Sequence, residues 1–82
     1  SNSKYVSMVI NDNFQKSFKT YVNEYRIHLA CLRMSDTENY GSFTLNAIAE
    51  SVGFKSYSAF VDVFKKTVGI TPSLYKEKLK KE

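Results

Sequence analysis

Thr44 to Tyr75 reads TLNAIAESVGFKSYSAFVDVFKKTVGITPSLY, and the order of its apolar, small and capping residues decides the fold. Leu45, Ile48, Ala49 and Val52 recur at the three-and-four spacing of an amphipathic helix, and Thr44 stands where a hydroxyl caps its amino end. Ala49 suits the close approach of two helices, and Gly53 supplies the backbone freedom of a tight turn. Phe54 anchors that turn to a core. Ser56 can cap a second helix whose buried stripe is expected to be Ala59, Phe60, Val63 and Phe64, with Tyr57, Ser58, Val61, Asp62 and Lys65 on its other faces. Gly69 ends it as a C-terminal cap, and Thr71-Pro72 restarts a helix with a capping hydroxyl and proline at the first helical position. Leu74 and Tyr75 are expected to pin this last helix back onto the second. The spacing therefore predicts helices over 44–51, 56–68 and 72–80.

Two short helices around a glycine turn, braced by a third, make a helix-turn-helix. Its common use is to lay the second helix in the major groove of DNA. The residues resemble the DNA-binding region of the AraC/XylS family of bacterial transcription regulators. That family's second motif ends in a phenylalanine-lysine pair, a glycine, then threonine or serine with proline and an aromatic. Here these are Phe64-Lys65, Gly69, Thr71-Pro72 and Tyr75, and IAESVGF from Ile48 to Phe54 is similar to the family's turn. Together they span about thirty residues at fixed spacing, far more specific than a lone turn glycine.

The resemblance implies two such motifs joined by a long helix, and an upstream copy is legible at an offset of 54 residues. Val6, Val9, Ile10, Phe14, Phe18 and Tyr21 fall opposite Phe60, Val63, Phe64, Val68, Pro72 and Tyr75, which preserves the apolar face with few identities. Residues 3–10 then read as an upstream recognition helix. Phe18 to Met34 resembles the linker helix, including Arg26-Ile27 and Ala30, and Phe18, Val22, Tyr25, Leu29 and Leu32 are expected to form one buried seam. The expected fold is all-α: a homeodomain-like three-helix unit over 44–82, a polar connection over 35–43, and a linker helix over 18–34 leading back to a partial first helix-turn-helix in 1–34. Nothing before Ser1 supplies the first scaffold helix, so the chain is expected to begin inside the upstream motif and to be a fragment of a longer protein. The connection SDTENYGSF, residues 35–43, is longer than the family usually has and could alter how the two recognition helices are phased.

Composition sets the bounds. A chain of 82 residues makes one small domain, and 43% hydrophobic with 15% aromatic residues suffices for a core, though a marginal one. No segment approaches the roughly 20 apolar residues of a membrane span, so this fragment is expected to make no membrane contact. Cys31 has no second cysteine to pair with, and reads as a small packing residue of a reduced, cytoplasmic protein; a parent fused to a sensor kinase could still be membrane-anchored. Residues 1–54 hold five basic and five acidic side chains, whereas 55–82 hold seven and three, so the net charge of +4 belongs to the second motif. That is the footprint of a phosphate-binding surface, although Lys78, Lys80 and Lys81 fit equally a solvated helix end that complements the dipole.

Enzymatic constellations are missing, and no cofactor is expected. His28 has no partner at metal-ligand spacing and reads as a surface residue. Asp12, Glu24, Asp36, Glu38 and Glu50 form no convincing carboxylate pair, and Gly41, Gly53 and Gly69 stand too far apart for a phosphate-cradling loop. Phe18, Tyr21, Tyr25, Phe54, Phe60, Phe64 and Tyr75 are expected in the core, leaving Tyr5, Tyr40 and Tyr57 as exposed rings.

Carried onto matching positions, the family's usage implies base-edge contacts from Lys4, Ser7 and Met8 upstream and from Tyr57, Ser58, Val61 and Asp62 downstream. Lysine suits guanine O6 or N7, serine either kind of group, valine or methionine the thymine methyl. Asp62 repels phosphate but accepts from cytosine N4. Lys55, Ser56, Lys65, Lys66 and Lys76 are expected on phosphates. Arg26 reads as a structural residue with Glu24 and Glu50 as possible ion partners. The expected partner is double-stranded promoter DNA. The resemblance adds RNA polymerase and an upstream sensory or receiver domain, for instance a sugar-binding barrel, a phosphorylated receiver or a membrane sensor kinase. A helical module that contacts only proteins is the alternative reading.

Overall fold

The computed structural model describes residues 14–80, with side chains described over 18–80. Among these residues the regular elements are helices: α1 (Phe14–Ser35), α2 (Thr37–Tyr40), α3 (Leu45–Ser51), α4 (Tyr57–Val68) and α5 (Pro72–Lys80). The recognition helix expected at 3–10, with Lys4, Ser7 and Met8, lies outside the described residues, as does Tyr5.

Each helix after α1 starts at a side-chain cap that satisfies an otherwise orphaned amide. The Thr44 hydroxyl oxygen accepts from the Ala47 N–H at 3.0 Å, and the Ser56 oxygen from the Ala59 N–H at 3.1 Å. Thr71 accepts from the Leu74 N–H at 3.2 Å, and Pro72 follows it at the buried first position of α5. The connection expected over 35–43 contains a helical turn of its own, because the Asp36 carboxylate accepts from the Asn39 backbone at 3.3 Å and its side-chain amide at 2.9 Å. Helix ends are set by glycine. Gly53 has φ +105° and donates to the Glu50 carbonyl, while the Phe54 N–H reaches back to Ala49, both at 3.1 Å. Gly69, at φ +99°, closes α4 by donating to the Lys65 carbonyl at 2.9 Å.

Packing follows from three apolar stripes. Ile27, Ala30 and Met34 of α1 meet Ile48, Ala49 and Val52 from α3 and its end, with Phe54, Phe60 and Phe64 completing the buried cluster. Rings run through it in sequence: Phe54 to Phe60 at 5.4 Å, Phe60 to Phe64 at 5.5 Å and Phe64 to Tyr75 at 5.6 Å between centroids. Helix α1 thus packs on α2, α3 and α4, and α5 on α4. Tyr75 and the half-buried Leu79 hold α5 in place, whereas Leu74, expected to help, is 42% exposed.

The largest departure lies on α1. Most of the expected seam is not buried: Phe18, Tyr25 and Leu32 are 51%, 62% and 66% exposed, and Tyr21, also expected in the core, is 70% exposed, whereas Val22 and Leu29 are half-buried and Leu29 packs against the core. At about 3.6 residues per turn, Ile27, Ala30 and Met34 lie on the opposite side of the helix from that seam. Helix α1 is apolar on two sides, and the core formed by α3 and α4 takes the side with the smaller Ala30, which lets the helices approach. Arg33 then fastens α1 to the end of α3. Its Nη1 donates to the Ser51 carbonyl at 3.0 Å and the Ser51 hydroxyl oxygen at 2.9 Å, while the guanidinium lies 5.2 Å from the centre of the Tyr40 ring. Tyr40, expected as an exposed ring, is half-buried between that guanidinium and Phe43, 4.8 Å away.

Candidate nucleic-acid interface

Helix α4 is strongly two-sided. Phe60 and Phe64 are fully buried, and Tyr57, Val61 and Val68 pack against the same cluster from its edges. Ser58, Ala59, Asp62, Lys65 and Lys66 are exposed and share the opposite arc of the helix. Ala59 is therefore a correction: expected in the buried stripe, it stands among the outward residues, where its methyl can meet another molecule. The α4 helix turns Phe60 into the core, and the neighbouring position 59 is carried around past the core's edge. Val63 is half-buried at that edge.

The expected contact residues fall into distinct settings. Ser58 and Asp62 are exposed on the outer arc, and Asp62 is restrained by Lys66 one turn later, 4.0 Å away, a solvated pair of small energetic weight. Tyr57 is half-buried rather than exposed, its ring tilted against Phe60 at 5.9 Å between centroids, which leaves one side of it accessible. Val61 is half-buried on the core side. Lys55 and Ser56 are exposed just before the amino end of α4, where unspent amides and the helix dipole favour anions. The Ser56 oxygen is used in the cap, but its O–H remains able to donate outward. Lys65 and Lys66 are exposed in the last turns of α4. Lys76 belongs to a different place. It lines a cleft of about 240 Å³ between α2 and α5, floored by Met34, Phe43, Ile48 and Leu79.

Beside the first turns of α4 lies a second, open concavity of about 360 Å³ that the sequence did not announce. It is lined by Lys19, Asn23 and Arg26 of α1, by Gly53, Phe54 and Lys55 of the turn, and by Ala59, Asp62 and Val63 of α4. Arg26 lies over the Phe54 ring, 5.7 Å from its centre, in a cation–π arrangement. Among the described residues neither Glu24 nor Glu50 comes within ion-pairing distance of it. No signal in the sequence could bring Lys19 and Asn23 to Lys55, since only the crossing of α1 over the turn does so.

Cys31 and His28 sit elsewhere, along an open groove bordered by Leu32, Thr67, Val68 and Tyr75. His28 is exposed. Burial pushes the Cys31 thiol above its ordinary value of 9.0, and the Tyr75 hydroxyl bonded to it acts in the opposite direction. Among the described residues no group of three or more His, Cys, Asp and Glu side chains converges as metal ligands would, and no helix is long and apolar enough to cross a membrane.

A two-sided helix set on a scaffold helix through a glycine turn, with an uncovered polar and basic outer arc, defines a helix-turn-helix protein. Comparison with known proteins agrees, since a family model described as a helix-turn-helix domain matches residues 2–78. The chain belongs to this family, in its AraC-type form, whose members are DNA-binding transcription regulators. It is 33% identical over 76 residues to a Bacillus subtilis (strain 168) protein described as the uncharacterized HTH-type transcriptional regulator YtdP. That alignment covers 93% of this chain but spans only 9% of the relative's length. No solved structure matches the chain.

Proposed function

We propose that this domain binds double-stranded promoter DNA sequence-specifically, with α4 seated in the major groove. The observation that carries the reading is the division of α4. Phe60 and Phe64 are fully buried, while Ser58, Ala59, Asp62, Lys65 and Lys66 form an outer arc that no described part of the chain covers. Short polar side chains on such an arc suit base edges. Ser58 bonds either kind of group, Asp62 accepts from cytosine N4, the accessible side of Tyr57 meets a sugar or base, and Val61 reaches a thymine methyl from the arc's border. Lys55, Ser56, Lys65 and Lys66 supply the sequence-blind, salt-dependent share on phosphates. Lys4, Ser7 and Met8 do the same reading from an upstream recognition helix, about 10 bp away on the duplex, with α1 setting the distance between the two. One chain then reads an asymmetric site without forming a palindromic dimer. Effector input through a further domain of the parent protein, and contact with RNA polymerase, belong to this proposal.

Titration of the full-length protein with its promoter DNA and with a scrambled duplex, at two salt concentrations, tests the reading. Preference for the promoter, with affinity that falls steeply as salt rises, is the expected result. A second reading, a module that contacts only proteins, draws on the exposed apolar side chains of α1 at Tyr21, Tyr25 and Leu32. It takes over if the full-length protein ignores both duplexes at about 50 mM salt, where phosphate contacts are strongest.

A further inference from the structure

The concavity beside α4 joins residues that lie far apart in the chain and have no role in the core. Lys19 and Asn23 stand one turn apart on α1, Arg26 follows on the same side, and Lys55 comes from the turn that precedes α4. Three cations thus border one hollow, against one carboxylate, Asp62, whose charge the solvated Lys66, 4.0 Å away, offsets in part.

Arg26 is the most telling of them. It is half-buried with its guanidinium over the Phe54 ring, and among the described residues no hydrogen-bond or ion-pair acceptor meets its N–H groups. A guanidinium carries five donors in a fixed fork, and since among the described residues no buried side-chain nitrogen or oxygen lacks a partner, those of Arg26 stand open to solvent and can meet an outside acceptor. The floor of the hollow is kept low by Gly53. A Cβ built there would stand 3.2 Å from Arg26 Nε, so an alanine would make the Arg26 side chain give by a few tenths of an ångström, besides straining the backbone at φ +105°.

We propose that this concavity is a seat for a backbone phosphate of duplex DNA, so that the long helix α1 grips the duplex directly. Arg26 presents its fork at the floor, Lys19 and Lys55 supply charge from either wall, and the Asn23 amide donates from the rim. Bidentate capture of a phosphate by a pre-positioned guanidinium is the geometry at which arginine excels. The hollow adjoins the outer arc of α4 through Ala59 and Asp62, so a strand that passes α4 in the major groove continues over it. The sugar-phosphate backbone has the same form whatever the bases, so this contact adds affinity and fixes register without choosing sequence. The inference rests on the duplex-binding reading and assigns to it residues of α1 outside the recognition helix.

The test is a salt titration of the full-length protein on its promoter and on a scrambled duplex, from about 50 to 200 mM. Lys19→Gln should weaken both duplexes by the same factor, roughly threefold to tenfold, and reduce the slope of log K against log salt by about 0.9, the value of one phosphate contact. Lys19→Arg should restore both. Arg26→Met keeps the stem over Phe54 and removes the fork; it should lower the slope likewise, with its melting temperature read alongside to exclude unfolding. Wild-type slopes in folded Lys19→Gln and Arg26→Met proteins that still prefer the promoter would overturn the phosphate seat and leave the recognition helix standing. If the wild-type protein binds neither duplex, both readings fall.

Discussion

Gly53 holds the turn before α4 in the left-handed region and lies under the Arg26 guanidinium, so a side chain there meets two obstacles at once. Gly53→Ala should cost about 1 to 3 kcal/mol in denaturant unfolding, whereas the same change at Gly69, where a Cβ would meet nothing within 4 Å, carries only the backbone penalty. The outer residues of α4 should separate into two behaviours. Ser58→Ala should relax preference at one or two base pairs in a binding-site selection, while Lys65→Ala should weaken all sequences nearly equally. Identical profiles for the two would mean that the faces of α4 are assigned wrongly. Cys31 gives a pH signature. Its folded-state value is raised by burial, so its contribution to stability is complete below the ordinary 9.0 and fades as pH climbs above it; Cys31→Ala should flatten that alkaline decline in thermal melts.

Caps and helix starts were the most legible features at the scale of elements, because they depend on neighbours three residues away. Thr44, Ser56 and Thr71 each make the bond that their positions in the sequence indicate. Burial was less legible. Phe60 and Phe64 announce themselves by size and spacing, but Ala59 is small enough to sit on either side of α4, and only the docking of that helix on α1 turns it outward. Phe60→Ala should cost roughly 3 to 5 kcal/mol, since that ring meets Phe54, Tyr57 and Phe64 with no solvent exposure, and chemical denaturation would read it. Arg33 was invisible as a fastener, because Ser51, the residue it bonds, lies 18 positions away.

For the whole molecule, the charge asymmetry and the two-sided α1 pull the surface toward two kinds of contact. The basic excess of the second half is shared between Lys55, Lys65 and Lys66 at α4 and the lysines from 76 to 81, whereas the first half is neutral and leaves Tyr21, Tyr25 and Leu32 exposed. If a rigid α1 spaces two recognition helices on one duplex, inserting about 5 bp between the two half-sites rotates one of them by half a turn. Affinity should then collapse to that of a single half-site, and insertion of about 10 bp should fail as well, because a helix of fixed length cannot follow the added distance. Unchanged binding to the 5 bp insertion in a mobility-shift assay would show that α1 does not couple the motifs.

The sequence alone determined the family, the glycine turn and the caps at Thr44, Ser56 and Thr71, because each depends on local spacing along the chain, but not the helical turn that Asp36 caps within the polar connection. It also placed the excess of positive charge in the second motif. Only the tertiary structure decided which apolar side of α1 meets the core, that Ala59 faces outward, and that Lys19, Asn23 and Arg26 stand with Lys55 around one hollow. Those facts depend on how helices cross, and a helix with two apolar sides offers two crossings that local spacing cannot tell apart.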